Sequence, residues 1–540
     1  MNTDLLFGQF ATLATAPDGI ARLRELILRL AVQGKLGTQD PGDEPAAKLV
    51  VRIRKEKERL VKEGKIPKPQ LKDNIEKRDH LPENWLYGPL GDFFYRVPVT
   101  KNKIPFTEFQ KMGSIPIVDQ SQNFIAGYTN QDSKLLTIPG PVIIFGDHTR
   151  EIKYIDFNFV VGADGVIVLK PLNGYEKYFY LVLKSLNLED KGYSRHYKIL
   201  SNYFFPLPPL TEQHRIVSKV DRLMALCDEL EARQHQERAG CLKLGTASLA
   251  GLRNTTHPEE FGRQWAQVGD AFNLILDCPE NVAVLRRTIL QLAVQGRLVR
   301  QEPGDEPAGL LAEKIRKEKQ KLLKTGKIKP EKSLKQIELA DIPYSLPTGW
   351  IWTHLNDVYD IRDGTHYTPK YHDEGVPFVT SKNIYNGHLD LDNVQYISRE
   401  DHERFILRSL TEKGDILFGM IGGSIGNTVL VDVDAEFSIK NVALFKYYSL
   451  ELSVPNYLYY FSVLAGNKMR QISSGGAQAF VSLKFLREYL VPLPPLAEQH
   501  RIVAKVDALM ALCDALESRL KERAGVQGRL AGAVVKQVAG

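Results

Sequence analysis

The sequence predicts an α+β chain built as a pseudo-two-fold tandem repeat, with two α/β domains separated by two long antiparallel coiled-coil helices. Three observations predict it. "PLPPLTEQHRIVSKVDRLMALCDELEARQ" begins at Pro206 and "PLPPLAEQHRIVAKVDALMALCDALESRL" at Pro492, with 23 of 29 aligned positions identical. The arm "LRELILRLAVQGKL" at Leu23 returns as "LRRTILQLAVQGRL" at Leu285, each followed by "PGDEPA" and a basic stretch. "LPENW" at Leu81 returns as "LPTGW" at Leu346. Shared words in a shared order mark a duplicated structural unit.

Taken in order, residues 1–80 read as a helical arm, 81–208 as the first α/β domain and 209–244 as a long spacer helix. A connector and second arm occupy 245–345, the second domain 346–494 and the second spacer helix 495–540. Inside the domains the two halves share almost no words, yet they share a coarse order. "GPVIIFGD" and "GDILFGM" read as strands, and "DGVIVLK" and "NVALFKYY" as later strands. "EKYFYLVLKSLN" and "PNYLYYFSVLAGNKMRQ" read as helices. A duplicated frame holding different inserts suits a device that reads two different things at a fixed separation.

The prolines of "PLPP" prevent a helix from continuing backwards, so each long helix starts just after them. Ile216, Val220, Leu223, Cys227 and Leu230 are spaced 4, 3, 4, 3. Ile502, Val506, Leu509, Cys513, Leu516 and Leu520 keep the rhythm, which is an a/d seam. Two arrangements satisfy it. The helices pack on each other as an antiparallel ruler of ~50 Å, or each closes its own domain's core.

Composition bounds the rest. With 43% hydrophobic and 25% charged residues among 540, the chain has the make-up of a soluble globular protein with several cores. No run of 18 apolar residues predicts a membrane span, and the N-terminal stretch lacks the pattern of a signal peptide, so a cytoplasmic location is expected. Four cysteines without a CxxC pair fit a reducing compartment and argue against zinc; Cys227 and Cys513 fall on the seam and read as core. The net charge of +6 permits nucleic-acid binding without demanding it. The lysines of the basic arm helices read mainly as a solvated face.

The doubled "PLPPL[TA]EQHRIV[SA]KVD", the "AVQGKL"/"AVQGRL" arms, and the segments "RDGTHYTPKYHDEGVPFVTSKNI" and "KGDILFGMIGGSIGN" resemble the DNA-specificity subunit of type I restriction–modification systems. "FGDHTREIKYIDFNFVVGADGVIVL" looks like one subtype of that family's target recognition domain. The resemblance implies two target recognition domains, each reading one half of a bipartite asymmetric site in double-stranded DNA. It implies a non-catalytic subunit that binds no cofactor itself. Two methyltransferase subunits would dock on it and use S-adenosylmethionine, and motor-nuclease restriction subunits would supply ATP- and Mg²⁺-dependent chemistry. The family's plainest layout lacks an arm of about 80 residues before the first "LPxxW"; because the same arm precedes the second, it reads as part of the repeat.

Base edges and phosphates are contacted by polar and basic side chains on loops. In the first domain these are Lys101, Asn102 and Lys103; Gln120, Ser121, Gln122 and Asn123; His148, Thr149 and Arg150; and Arg195, His196 and Lys198. In the second they are Arg362, Thr365, His366, Tyr367 and Lys370; Lys382 and Asn383; and Ser474, Gln478 and Lys484. Turn formation and plain solvation are the alternative roles for each. Two other functions compete. "GDHTREIK" offers Asp147, Glu151 and Lys153, a short D…ExK string of the kind metal-dependent nucleases use, but only in the first half. A protein-only scaffold is the other. No phosphate-binding G-x-x-x-x-G-K-[ST] and no amino-methyltransferase motif of the Asn-Pro-Pro-Tyr type occurs, so methyl transfer is assigned to a partner.

Overall fold

The structure is a computed structural model that describes residues 10–66, 75–78, 81–162, 164–186, 188, 195–255, 258–330, 334–385, 387–473 and 480–539. The chain divides into two compact units, Met1–Glu237 with Glu522–Gly540, and Arg238–Lys521.

Unit 1 opens with a short helix, Phe10–Thr15, and the arm helices α1 (Gly19–Val32) and α2 (Ala46–Lys62). Leu23, Leu26, Ile27 and Leu30 lie on one face of α1 at helical spacing and are buried. Most lysines of α2 are exposed, as its pattern predicts. Lys57 is the exception: it is buried, donates to the Gly91 carbonyl at 2.8 Å, and so ties the arm to the domain. The α/β domain follows with β1 (Leu86–Pro89), β2 (Phe94–Arg96), β3 (Lys103–Ile104), β4 (Ile115–Val118), β5 (Gly127–Thr129), β6 (Val142–Gly146), β7 (Ile152–Ile155), β8 (Val160–Gly162) and β9 (Val166–Pro171). Then come α3 (Glu176–Ser185), α4 (Tyr197–Ser201), β10 (Phe204–Leu207) and the long helix α5 (Leu210–Asn254).

One sheet has the order β2-β9-β6-β7, a second β3-β8-β4-β5, and β1 pairs with β10. The central strands are apolar on both faces for a physical reason. Ile143 and Phe145 of β6 enter the core shared with α1 and α3, whereas Val142 and Ile144 enter a second core with Val118 and Val161. A sheet covered on both sides has no polar face to alternate with.

Unit 2 repeats the arm, the main sheet, the closing strand pair and the long helix, but its second sheet differs, with three strands and a separate two-stranded pair. A connector of two helices, Pro258–Asp270 and Phe272–Leu276, leads to α6 (Glu280–Val294) and α7 (Ala308–Lys324). The strands are β11 (Ile351–His354), β12 (Tyr359–Asp363), β13 (Val376–Thr380), β14 (Ile384–Tyr385), β15 (His388–Leu389), β16 (Gln395–Ile397), β17 (Ile416–Gly419), β18 (Thr428–Leu430), β19 (Ser438–Lys440), β20 (Val442–Tyr447) and β21 (Leu490–Leu493). The helices are α8 (Arg399–Ser409), α9 (Pro455–Ser473), α10 (Leu483–Glu488) and α11 (Leu496–Ala539). The sheet order β12-β20-β17-β18 matches that of unit 1 strand for strand, as does the pair β11-β21.

The seam is used in two ways at once. Ile216, Val220 and Cys227 of α5 enter the core of unit 1, where Arg24 of α1 reaches Asp228 at 2.5 Å and Glu231 at 2.9 Å. The first stretch of each long helix therefore packs on its own arm. The later stretch meets the other long helix. Ala531, Val534, Val535 and Val538 of α11 lie in the same core as Cys227, and Leu249 and Leu252 of α5 share a core with Leu516 of α11. Late positions of each helix thus share a core with middle positions of the other, which is an antiparallel pairing. Helix α5 runs to Asn254 rather than ending at Leu244, because Leu249 and Leu252 have this core to enter. Cys227 and Cys513 are buried free thiols, pushed up in pKa by that burial.

The repeated words converge on one junction per unit. Trp85 of "LPENW" donates its indole N–H to Glu212 at 2.8 Å, and Glu212 also accepts from Thr38 at 3.0 Å and Gln39 at 2.9 Å. Trp350 donates to Glu498 at 2.9 Å, which accepts from Gln301 at 3.0 Å. Gly34 of "AVQG" sits at φ 69°, and a Cβ there would lie 2.5 Å from Pro82; Gly296 has φ 68° and a Cβ would lie 2.4 Å from Pro347. Only glycine supplies both the left-handed backbone and the room.

Burial raises the Glu212 and Glu498 carboxyls above their usual range, outweighing the hydrogen bonds that lower them. Such a group holds its proton more tightly when folded. Its stabilisation is complete below the unfolded pKa and is lost as pH rises through the raised one. Two outcomes are expected. Trp85→Phe, which keeps the ring but removes the donor, should cost about 1–3 kcal/mol in denaturant unfolding. Against Glu212→Gln/Glu498→Gln, the unsubstituted protein should gain relative stability as the pH falls from neutral. An opposite slope in thermal melts would show that hydrogen bonding, rather than burial, governs the titration.

Candidate nucleic-acid interface

In unit 1 the polar stretches chosen from sequence lie at the start of β3, after β4, after β6 and at the start of α4, and several are knitted together. The Lys103 ammonium reaches Asp164 at 3.1 Å, and the Gln120 amide donates to the Asp164 carbonyl at 3.0 Å. Gln120 Oε1 accepts from the His148 backbone at 3.2 Å, and its carbonyl accepts from the Thr149 hydroxyl at 2.6 Å. Gly165, at φ 84°, leaves the space that Gln120 and His148 fill. Ser121 folds back onto Asp119 at 2.6 Å. Asn102 is occupied with the Leu135 carbonyl at 2.9 Å, and Arg150, at φ 63°, donates to the Leu188 carbonyl at 2.9 Å. Lys101, Gln122, Asn123, Thr149, Arg195 and Lys198 are exposed around this rim.

His196 is fully buried and is removed from the contacts expected from sequence. Its Nδ1 lies 3.0 Å from the Asp147 carbonyl, which also accepts the His196 backbone N–H at 2.9 Å. Asp147 in turn accepts from the Tyr197 N–H at 2.7 Å, at the start of α4. Lys153 is buried too, its ammonium donating to the Asp119 carbonyl at 2.9 Å and the Asn123 carbonyl at 2.5 Å, and desolvation lowers its pKa. Asp147 and Lys153, the two ends of the nuclease-like string, are thus committed to holding loops in place. Among the described residues no group of three or more His, Cys, Asp or Glu is placed to hold a metal ion.

In unit 2 the candidates gather between β12, α8 and the β19–β20 turn. The His366 ring lies between Asn441 Oδ1 at 2.8 Å and the buried Asp363 carboxylate at 3.1 Å, which also binds Arg408. Exposed Tyr367 carries the Arg404 guanidinium over its ring at 5.0 Å, and the Thr365 hydroxyl accepts from the Tyr367 N–H at 3.1 Å. Arg362 is paired with Asp360 at 2.6 Å. Asn383 is buried, holding Thr380 and the Asn393 carbonyl at 2.9 Å, and is likewise removed from the expected contacts. Lys370, Lys382 and Lys484 are exposed. Ser474 and Gln478 lie outside the described residues. Sequence reading missed Arg404, Arg408, Lys440 and Asn441, which stand beside His366 and Tyr367 in space. Lys440 pairs in β-bridge register with Thr365 and donates to Thr368 at 2.5 Å. Position 441 did carry one signal, an asparagine before an apolar strand, which here takes φ 54°.

Two loop-rich domains on a repeated frame define a tandem recognition subunit. The description "Type I restriction modification DNA specificity domain" matches residues 82–238 and again 347–524. The chain is 32% identical to the type I restriction enzyme EcoAI specificity subunit of Escherichia coli, over 96% of this chain and 93% of that one. It is 30% identical to the EcoEI specificity subunit of the same species over the same shares. The crystal structure of an HsdS subunit from Thermoanaerobacter tengcongensis aligns at 18% identity and a TM-score of 0.37, covering 86% of this chain and 98% of that one. This protein belongs to the type I restriction–modification specificity subunits.

Burial separates the two kinds of candidate experimentally. His196→Ala should lower the thermal midpoint, costing about 1–3 kcal/mol by leaving the Asp147 carbonyl short of a donor. Arg195→Ala, one position away and exposed, should leave the midpoint unchanged and weaken duplex binding with a shallower salt dependence. Equal effects of the two on stability would contradict the placement.

Proposed function

We propose that the chain reads a bipartite, asymmetric site in double-stranded DNA, one half with each α/β domain, and carries no catalytic centre or cofactor of its own. The observation that carries this is a shared frame with different inserts: the main sheet and closing strand pair have the same order in both domains, while the second sheets and the loop side chains at the strand ends differ. The retained rim residues named above, with Arg404 and Lys440, would supply phosphate and base contacts. The duplicated arms and long helices would present two similar surfaces for two methyltransferase subunits, which would use S-adenosylmethionine. Motor-nuclease subunits would bring ATP and Mg²⁺ chemistry in the cytoplasm. Among the described residues no helix is long and apolar enough to cross a membrane.

The test is a domain exchange. Replacing residues 86–205 by the equivalent segment of a relative should change one half of the methylated motif in the host genome and leave the other half intact. A change in both halves would refute the modular reading. A matched insertion tests the ruler. Four residues added to α5 after Gly240 and four to α11 after Gly525 add about 6 Å to each helix. The gap between half-sites should then lengthen by about two base pairs, and an unchanged gap in the methylated motif would mean that the helices do not set it.

A further inference from the structure

Unit 2 contains a cavity of about 850 Å³ between the end of α5, α6, α9 and α10 that has no part in the reading above. Four cations line it: Arg253, Arg287, Lys335 and Lys468. None of them has an acidic partner among the described residues, whereas arginines elsewhere on the frame are paired, as Arg286 is with Asp514 at 2.6 Å. The Nε of Arg253 is buried without a hydrogen-bond partner, and the neighbouring charge of Arg287 adds to the cost of burying it. The two acids on the wall do not offset this. Asp341 is turned to the backbone of Glu338 at 3.2 Å, and Glu488 lies 3.8 Å from Lys484. Arg287, Lys335 and Lys468 are solvent-exposed, so the desolvation falls on half-buried Arg253, and a bound anion would offset it.

The remaining wall is aromatic. Phe461, Phe485, Tyr489 and Trp352 line the cavity, with Tyr489 5.7 Å from Phe485 and 6.2 Å from Phe461, ring centre to ring centre. Gln291 and Asn467 add amides that can both donate and accept. We propose that this cavity binds a nucleoside phosphate. The guanidiniums suit a phosphate through parallel N–H···O bonds, the aromatic wall suits a base, and the volume is that of an ordinary small-ligand site. The two halves differ in charge here: at the position of Arg287 the first arm carries Glu25.

The proposal is tested by equilibrium dialysis of AMP, ATP and inorganic phosphate against the full-length chain purified free of motor-nuclease subunits. The variants are Arg287→Glu and Lys468→Glu. Arg287→Glu places in α6 the residue that α1 already has at the same repeat position, and thermal melts check that both variants are folded. Saturable nucleotide binding is expected, weakened at least about tenfold in each variant, with phosphate alone at least about tenfold weaker than AMP. Affinity for duplex DNA should not change. The proposal is overturned if no nucleotide binds at millimolar concentration, if both variants bind it as well as the parent, or if phosphate binds as tightly as AMP. It is also overturned if the charge reversals weaken duplex binding and leave no nucleotide binding to lose, which would assign the cavity to the DNA backbone.

Discussion

A buried hydrogen bond from an indole to a carboxylate organises each half of this protein. Trp85 to Glu212, and Trp350 to Glu498, join the start of the α/β domain to the first turn of the long helix. The bond can persist only where water is excluded, and the exclusion is supplied by the arm. Gly34 and Gly296 let the arm close over the tryptophan and the proline three residues before it. The neighbouring glutamines fix the direction in which the helix leaves, Gln213 donating to the Pro208 carbonyl and Gln499 to the Pro494 carbonyl, both at 3.0 Å. A buried carboxylate that lost its donors would carry a large desolvation cost. The arm, the "LPxxW" turn and the helix start therefore form as one unit, which is why these words recur together.

From that junction outward the demands on sequence relax. The arms keep a helical apolar face and one lysine each for the domain, Lys57 to the Gly91 carbonyl at 2.8 Å and Lys319 to the Asn356 carbonyl at 2.7 Å. The central strands need to be apolar on both faces, and β6 and β17 match in burial and nearly in sequence, Ile143-Ile144-Phe145-Gly146 against Ile416-Leu417-Phe418-Gly419. The loops at the strand ends need only a tether. In unit 1 the segment before α4 is held by the His196 N–H on the Asp147 carbonyl at 2.9 Å. In unit 2 the equivalent tie is the Val481 N–H on the Met420 carbonyl, also at 2.9 Å. Both units share this backbone tie, which unit 1 reinforces with the His196 ring and the Asp147 carboxylate, while the exposed side chains beside it are free to differ. A recognition surface that can be re-written without disturbing its scaffold follows from that division.

The asymmetry of the unit 2 cavity belongs to the same logic. Arg24 and Arg286 stay arginine because each reaches two carboxylates on its long helix. The next residue points away from that contact and is free to be Glu25 in one arm and Arg287 in the other. A duplicated frame thus acquires a feature in one copy at a position its own packing does not use.

By itself the sequence determined the duplication, the central strands, the start of both long helices and the family. Each of these is written in local pattern: period, prolines, or words repeated at a fixed spacing. Tertiary structure decided which polar residues are available. His196 and Asn383 carry the same composition signal as their exposed neighbours, yet the fold turns both inward to satisfy backbone groups. Arg404, Arg408 and Lys440 lie far along the chain from His366 and gave no local sign of joining it. The seam was legible as a seam, but not that its first stretch would face its own arm and its later stretch the other helix. A period names the face of a helix that must be buried, and only the packed chain supplies what buries it.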